Sequence, residues 1–522
     1  MIHRIRDIIN KHKLGIILAI ITGLIVAGPN LVFINDSSFR GLPMMYADAE
    51  TWYLGRINGV YNGCILSCNP FIKEYSNVYP FFDSSLSETF LAIPGIISNI
   101  PVVKLKIFYE FLLPFLLILL SYSLIFRLTR NITISLFGSS FIVLGYNLIN
   151  YQDLISVHDF IDLFNLKTDY TQFLIFSRPV NPQFSSVFLF IYLHVLLSTI
   201  NQRTKKWFFV LTLIYGLSFY IYFFTYAFAT VLQIVWLIIF LLRKEWKNFA
   251  GTTISTFGGF FIAAPQFIEI VSIFQHPYYI TIPKDYLILT HVPHITLKGV
   301  LLLLITISLV FIYIKKIKTI STSAYFILAL VLACFITRNE HVLTGRIMQY
   351  DHFEVYIFSP VLIIVLCFLY LQLLPKWFQQ RLYILGIMSV VAIGNASLIQ
   401  YTSYRSWINY TYKEQRFMPV LEWSANNIPQ KSIISSPEYL SKYIPIYTHN
   451  YVLWTVYANQ WMSVPGRSKD AYDKDQSIES LKSIGNKYKV DYYVQDRKND
   501  LLKKSALKKV YEDTDFIVYK AS

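Results

Sequence analysis

Residues Trp207–Leu242, WFFVLTLIYGLSFYIYFFTYAFATVLQIVWLIIFLL, contain no charged side chain, and they stand between Lys205-Lys206 and Arg243-Lys244. As one helix rising about 1.5 Å per residue this run would extend roughly 50 Å, whereas the hydrocarbon core of a bilayer is about 30 Å thick. A single crossing is excluded. Basic residues collect on the cytoplasmic side of membrane proteins, so basic clusters at both ends demand an even number of crossings. The run therefore predicts a hairpin of two spans, turning near Phe223–Phe228.

The rest of the chain fits that start. Hydrophobic residues make up 55% of the sequence and charged residues only 15%, against roughly a quarter charged in soluble proteins. The expected fold class is an α-helical polytopic membrane protein. Further spans are predicted at Leu14–Phe33, Ile107–Phe126, Thr133–Ile149, Pro182–Ile200, Ala250–Ile273, Leu297–Tyr313, Thr322–Ile336, Glu354–Leu374 and Leu382–Ile399, about eleven in all. The first follows a basic stub and is read as a retained span, because no small-residue cleavage signal follows it.

The net charge of +15 sits mainly in short connectors, with the acids in the alternate loops. This places the N-terminus inside and the C-terminus outside. It also argues against nucleic acid as a partner, since no basic patch is interleaved with aromatics. Residues 1–400 form the expected membrane domain, with exterior loops 34–106, 150–181, 274–296 and 338–353. From 401 to 522 charge returns, and the β-rich runs Ser432–Ile434, Val490–Val494 and Phe516–Tyr519 alternate with a helical pattern over Ser477–Tyr488. These predict a small exterior α/β domain.

Within the first loop, Leu86–Ile100 (LSETFLAIPGIISNI) is apolar but short and interrupted by Pro94, which predicts an interfacial or re-entrant helix. Cys334 and Cys367 fall in apolar runs. Cys64 and Cys68 are left as a local bridge or as two free thiols.

The chemistry of the loops centres on Ala47–Arg56 (ADAETWYLGR). It puts Asp48 and Glu50 at the start of a short helix whose stripe Tyr53, Ile57, Val60 and Tyr61 would lie on the membrane surface. Two carboxylates so spaced converge only if Asp48 precedes the helix. Their plain role is a cap at the positive end of a helix.

The architecture resembles the C-type (GT-C) membrane glycosyltransferases: a long first exterior loop with an acidic pair near its start, and a soluble C-terminal domain. Three stretches are similar to a bacterial branch that uses polyprenyl-phosphate sugars: Asp48–Pro70 (DAETWYLGRINGVYNGCILSCNP), Phe176–Phe184 (FSRPVNPQF) and Asn339–His352 (NEHVLTGRIMQYDH). The resemblance implies transfer of a hexose or pentose from a polyprenyl-phosphate carrier to a glycan, lipid or protein acceptor. The reaction would invert the anomeric carbon, on the exterior side of a bacterial cytoplasmic membrane.

Under that resemblance Asp48 is the favoured base and Glu50 its helper, although Ala49 splits a pair that is adjacent in many members; Asp36 is the outside candidate. Developing charge on a lipid phosphate calls for cations. Arg178 and Arg346 are the first candidates, with Arg56, His341 and His352 beside them. Some relatives need a divalent cation, Mg or Mn, for which Asp48, Glu50, His158 and Asp159 are the candidate ligands. Rival readings are a transporter or flippase of lipid-linked glycans, which would explain the span count although spans 4 to 6 carry only His194 and a run of tyrosines at depth, and a non-catalytic scaffold whose C-terminal domain binds an exported partner.

Overall fold

The computed structural model describes residues 2–47, 49–65, 69–76, 86–149, 172–275, 287–293, 297–316, 321–348, 350–373, 381–456, 466–467, 469–470 and 477–521. The chain divides into two units. The first is Met1–Pro29, Tyr109–Pro265 and Pro283–Tyr404; the second is Asn30–Phe108, Gln266–Ile282 and Arg405–Ser522.

Among the described residues, 8 helices are long and apolar enough to cross a membrane: Ile9–Phe33, Val102–Thr129, Pro179–Gln202, Phe223–Leu242, Trp246–Ser272, Thr322–Thr344, Glu354–Leu371 and Leu382–Asn427. Each overlies a predicted span, and the chain is a multi-pass membrane protein. Shorter apolar helices at Ile132–Val143 and Gly299–Ile312 fall on two more predicted spans.

The apolar run 207–242 does fold as two helices, Lys205–Ser218 and Phe223–Leu242, but the break comes earlier than Phe223–Phe228. Ser218 Oγ donates to Tyr215 O, and Tyr220 N and Ile221 N donate to Leu217 O and Ser218 O, so the first helix ends in tight turns. Tyr222 is extended (φ −163°, ψ 131°), and the aromatic run after it starts the second helix. The two arms of the break are thus set by backbone bonding, which hydropathy does not encode. Close packing in this unit uses small residues: a Cβ on Gly216 would meet Ile262 at 2.7 Å, and one on Gly259 would strike Tyr215.

His194 is not an open polar group at depth. Its Nε2 bonds Leu120 O at 2.9 Å and Ser123 Oγ at 2.9 Å, and Arg127 Nη1 lies 3.1 Å from its Nδ1. Its hydrogen bonds are used in packing helices together.

In the first unit, β1 (Leu287–Leu289) and β2 (Arg346–Met348) pair antiparallel, Leu289 opposite Arg346. The second unit carries a five-stranded sheet of β3 (Ile433–Ser435), β4 (Tyr451–Val452), β5 (Tyr492–Asp496), β6 (Lys508–Glu512) and β7 (Phe516–Lys520). The order is β4-β3-β5-β7-β6, parallel at β3/β4 and β3/β5 and antiparallel at β5/β7 and β6/β7. Its core gathers Ile433, Leu481, Ile484, Tyr493, Leu502 and Ile517. Ser477 caps the helix Ile478–Lys487 through Ser480 N at 3.1 Å. The three β-rich runs and the helix expected from sequence are all present.

The helix Ala49–Tyr61 differs from expectation. Instead of lying on a surface it is buried over Glu50, Thr51, Trp52 and Leu54–Val60. Trp52 stacks on Phe71 (centroids 4.8 Å apart), Asn58 Nδ2 donates to Pro445 O and Thr448 O, and at Gly95 the helix Leu86–Ser98 approaches Tyr61 so closely that a Cβ would strike its hydroxyl. A helix boxed in on several sides has no face left for lipid.

The helix Leu86–Ser98 instead buries Ser87, Glu88, Leu91, Ala92 and Gly95 and exposes Phe90, Ile93, Ile96 and, at 80%, Ile97. This polarity is the reverse of a water-facing amphipathic helix and suits a membrane interface. Cys64 is disulfide-bonded, Cys334 and Cys367 are free and buried, and Cys68 lies outside the described residues.

Candidate active site

In the second unit one candidate acid, Glu50, is held by a buried clamp. Asn30 and Met44 bond reciprocally, Nδ2 to O at 3.1 Å and N to Oδ1 at 2.8 Å. Glu50 Oε2 accepts from Tyr46 N at 2.6 Å and lies 3.5 Å from Lys106 Nζ, which itself donates to Met44 O at 3.0 Å. Lys106 also sits 4.6 Å above the Tyr46 ring. A buried carboxylate without a partner is expensive, so Lys106 is what lets Glu50 stay inside. The clamp ties Tyr46 to Glu50, and the helix starts at Ala49. Asp48 lies outside the described residues, as do His158 and Asp159.

Arg56 and Asp36 are engaged elsewhere. Arg56 Nε is 3.2 Å from Glu88 Oε1, with side-chain exposures of 5% and 2%, so its guanidinium joins the helices Ala49–Tyr61 and Leu86–Ser98. Asp36 Oδ1 accepts from Ser38 N and Oγ, and Oδ2 from Tyr412 OH. The Ser38 and Tyr412 hydrogen bonds hold its carboxyl below the usual range, as expected of a bonded turn carboxylate.

In the first unit, Arg178 caps a π-helical turn, Pro179–Phe184, that leads into the helix Ser185–Gln202. Pro179 and Pro182 restrict the backbone there. Gln183 ties it back, its N donating to Arg178 O at 3.2 Å and its Nε2 to Phe176 O at 2.8 Å. Arg178 Nη2 donates to Tyr356 OH at 3.3 Å, and Tyr356 sits in a second π-helical turn, Glu354–Phe358. Such turns are rare and concentrate at functional sites.

His352 completes the cluster. Its ring centroid is 5.2 Å from that of Tyr356, and its Nδ1 is 2.6 Å from Tyr222 OH. Burial first, then the Arg178 charge, push its imidazole down to about 4, so it is neutral at physiological pH. Ser177 Oγ and Gln183 Oε1 are buried with no hydrogen-bond partner among the described residues. The cluster thus offers a half-buried guanidinium, two phenols and a neutral imidazole, which suits a single anionic group.

The other two candidates of this unit sit apart in sequence, around β2. His341 is 1% exposed; its Nε2 lies 2.9 Å from Val292 O, which can only accept, so Nε2 carries the proton. Gly345 at φ 72° closes the turn before Arg346, whose side chain is exposed. The structure therefore brings Arg178 and His352 together, and it sets Arg56 in an ion pair.

Sequence reasoning missed Lys106, Glu88, Tyr222 and Tyr356. Lys106 carried a signal, a cation at the edge of an apolar run; the tyrosines are not distinguishable from the other aromatics of the chain. No three His, Cys, Asp or Glu side chains gather as a metal-ligand set among the described residues. Glu50, the one candidate ligand described, already faces an ammonium, a poor fit to a divalent cation.

No family model matches the chain, and no curated protein matches it in sequence. Solved structures do. The oligosaccharyltransferase of Archaeoglobus fulgidus, tethered to an acceptor peptide containing the NVT sequon, superposes over 98% of this chain and 74% of its own, with a TM-score of 0.50 and 12% identity. The same archaeal enzyme, AglB, with an inhibitory peptide and a dolichol-phosphate covers 94% and 70%, at a TM-score of 0.42 and 13% identity. ArnT from Cupriavidus metallidurans bound to undecaprenyl phosphate covers 95% and 97%, at 0.46 and 10%. Identity this low speaks to fold alone: the chain has the fold of the C-type polytopic membrane glycosyltransferases.

Proposed function

We propose that the chain is a glycosyltransferase that moves a sugar, a hexose or pentose, from a polyprenyl-phosphate carrier to an acceptor on the non-cytoplasmic face of a bacterial cytoplasmic membrane. The observation that carries this reading is Arg178, hydrogen-bonded to Tyr356 beside neutral His352 at the head of a membrane-length helix. A lipid-linked phosphate leaving group needs a cation and donors at that level. The fold shared with an oligosaccharyltransferase supports it.

In this reaction Asp48 takes the proton of the acceptor hydroxyl. The oxygen attacks the anomeric carbon opposite the phosphate, the carbon–phosphate-oxygen bond breaks, and its electron pair departs on the polyprenyl phosphate, inverting the centre. Arg178 stabilises that charge, with His352 and Tyr356 adding hydrogen bonds. Arg346 and His341 are secondary donor contacts. Glu50 acts with Lys106 to position residue 48.

The test uses the full chain in liposomes, offered undecaprenyl-phosphate sugars one at a time with a membrane glycan extract, and reads released undecaprenyl phosphate. Asp48→Asn should lower turnover by about 10²–10⁴-fold, the usual range for a lost general base. Undiminished turnover by that variant, at equal protein level, refutes the assignment.

A further inference from the structure

A cavity of about 810 Å³ opens within the second unit, walled by the loop after the helix Ala49–Tyr61 on one side and by the approach to β4 on the other. It contains none of the residues assigned above to catalysis or to the donor. Its walls are tied together: Val452 N donates to Phe71 O at 2.8 Å, Tyr451 N to Ser432 O at 2.9 Å, and Lys431 N to His449 O at 2.8 Å. The volume falls in the range of about 300–1,000 Å³ typical of small-molecule sites.

The lining is unusual in its chemistry. Among the described residues it includes Lys73, Lys431 and His449 but no aspartate or glutamate, along with Tyr61, Asn69 and Tyr451. Neither lysine has an ion-pair partner among the described residues. Asn69 is 1% exposed; its Oδ1 accepts from Phe71 N at 2.7 Å and Ile72 N at 3.2 Å, yet its buried Nδ2 has no hydrogen-bond partner among the described residues. Leaving a buried donor without an acceptor is costly, because its lost hydration is not replaced. A donor so placed, in a polar cavity whose described lining carries two cations and no acid, points to a missing acceptor atom.

We propose that this cavity binds an acidic carbohydrate: a sugar carboxylate or phosphate set between Lys73 and Lys431, a ring oxygen or hydroxyl on Asn69 Nδ2, and a ring face against Tyr61 or Tyr451. The chemistry follows from the lining. Charge-assisted bonds from ammonium groups select the anion, while amide and phenol groups serve the hydroxyls. Naming the ligand as the acceptor, held away from the chemical step, rests on the glycosyltransferase reading; binding itself does not.

The experiment titrates the full chain in nanodiscs with trigalacturonate, its uncharged methyl ester, and a glycerol-phosphate oligomer, by calorimetry. Binding of at least one acidic probe, tenfold or more tighter than the ester, is the expected result, and the two acidic probes tell carboxylate from phosphate. Lys73→Gln with Lys431→Gln should weaken that binding by at least tenfold. Asn69→Asp keeps the Oδ1 acceptor and so the turn, but replaces the donor by a repelling oxygen; it should weaken the acidic probe by more than it weakens the ester, which loses the donor bond alone. No binding of either acidic probe at millimolar concentration, or binding indifferent to all three substitutions, overturns the proposal. Because Asp48→Asn should bind as the parent does, loss of transfer there with binding retained separates the failure of one idea from that of the other.

Discussion

The ion pair between Arg56 and Glu88 makes a decisive perturbation, because sequence offers Arg56 as a donor contact and the structure gives it a structural partner. At 3.2 Å and nearly complete burial on both sides, the attraction is about 5 kcal/mol at an effective dielectric of roughly 20. Desolvation offsets most of that, so the pair adds little net stability over apolar groups. Removing one partner is a different matter, since it strands the other charge at a cost of about 3–5 kcal/mol. Arg56→Met should therefore lower the melting temperature in detergent markedly, and transfer activity with it. Arg56→Met combined with Glu88→Gln strands no charge and should recover most of the loss. Trp52, whose ring lies 6.0 Å from the Arg56 guanidinium, gives a fluorescence signal from the spot itself. Should Arg56→Met melt like the parent yet lack transfer, and the double variant stay inactive, Arg56 serves the donor phosphate and the structural account fails.

Further outcomes are expected elsewhere. Arg178→Gln should slow donor turnover by about 10²–10³-fold, the scale of a lost charge-stabilising donor, whereas Arg178→Lys should recover part of it because the charge remains without the fork; parent-like turnover in the Gln variant refutes the berth. His352, held near 4 in the fold against 6.5 when unfolded, is bound by more protons in the unfolded chain between those values. Its contribution to stability is therefore complete above pH 6.5 and lost as the pH falls toward 4, and His352→Phe should flatten the melting temperature across that window. A spin label at Ile97→Cys should collide more with oxygen than with a water-soluble nickel chelate, since Ile97 is 80% exposed on an apolar face; the opposite ranking removes that helix from the interface.

Local pattern was enough for much of this molecule. Hydropathy placed the spans, because lipid requires a long apolar helix wherever the chain crosses. The short broken run Leu86–Ile100 was legible as an apolar helix too short to span, for the same reason, and β-rich runs announced β3, β5 and β7. The hairpin of residues 207–242 followed from length and flanking charge, while its turn did not, since hydrogen bonds at Ser218–Tyr222 decided it.

The site is another matter. Glu50 meets Lys106 across 56 positions of sequence, Arg56 meets Glu88, and one cluster draws Arg178, Tyr222, His352 and Tyr356 from three separate segments. Sequence by itself determined where the polar groups of this protein lie relative to its apolar spans. Only the tertiary structure decided which of them face one another, because a buried charge takes whichever counter-charge the packing of distant helices delivers to it, and no local periodicity records that choice.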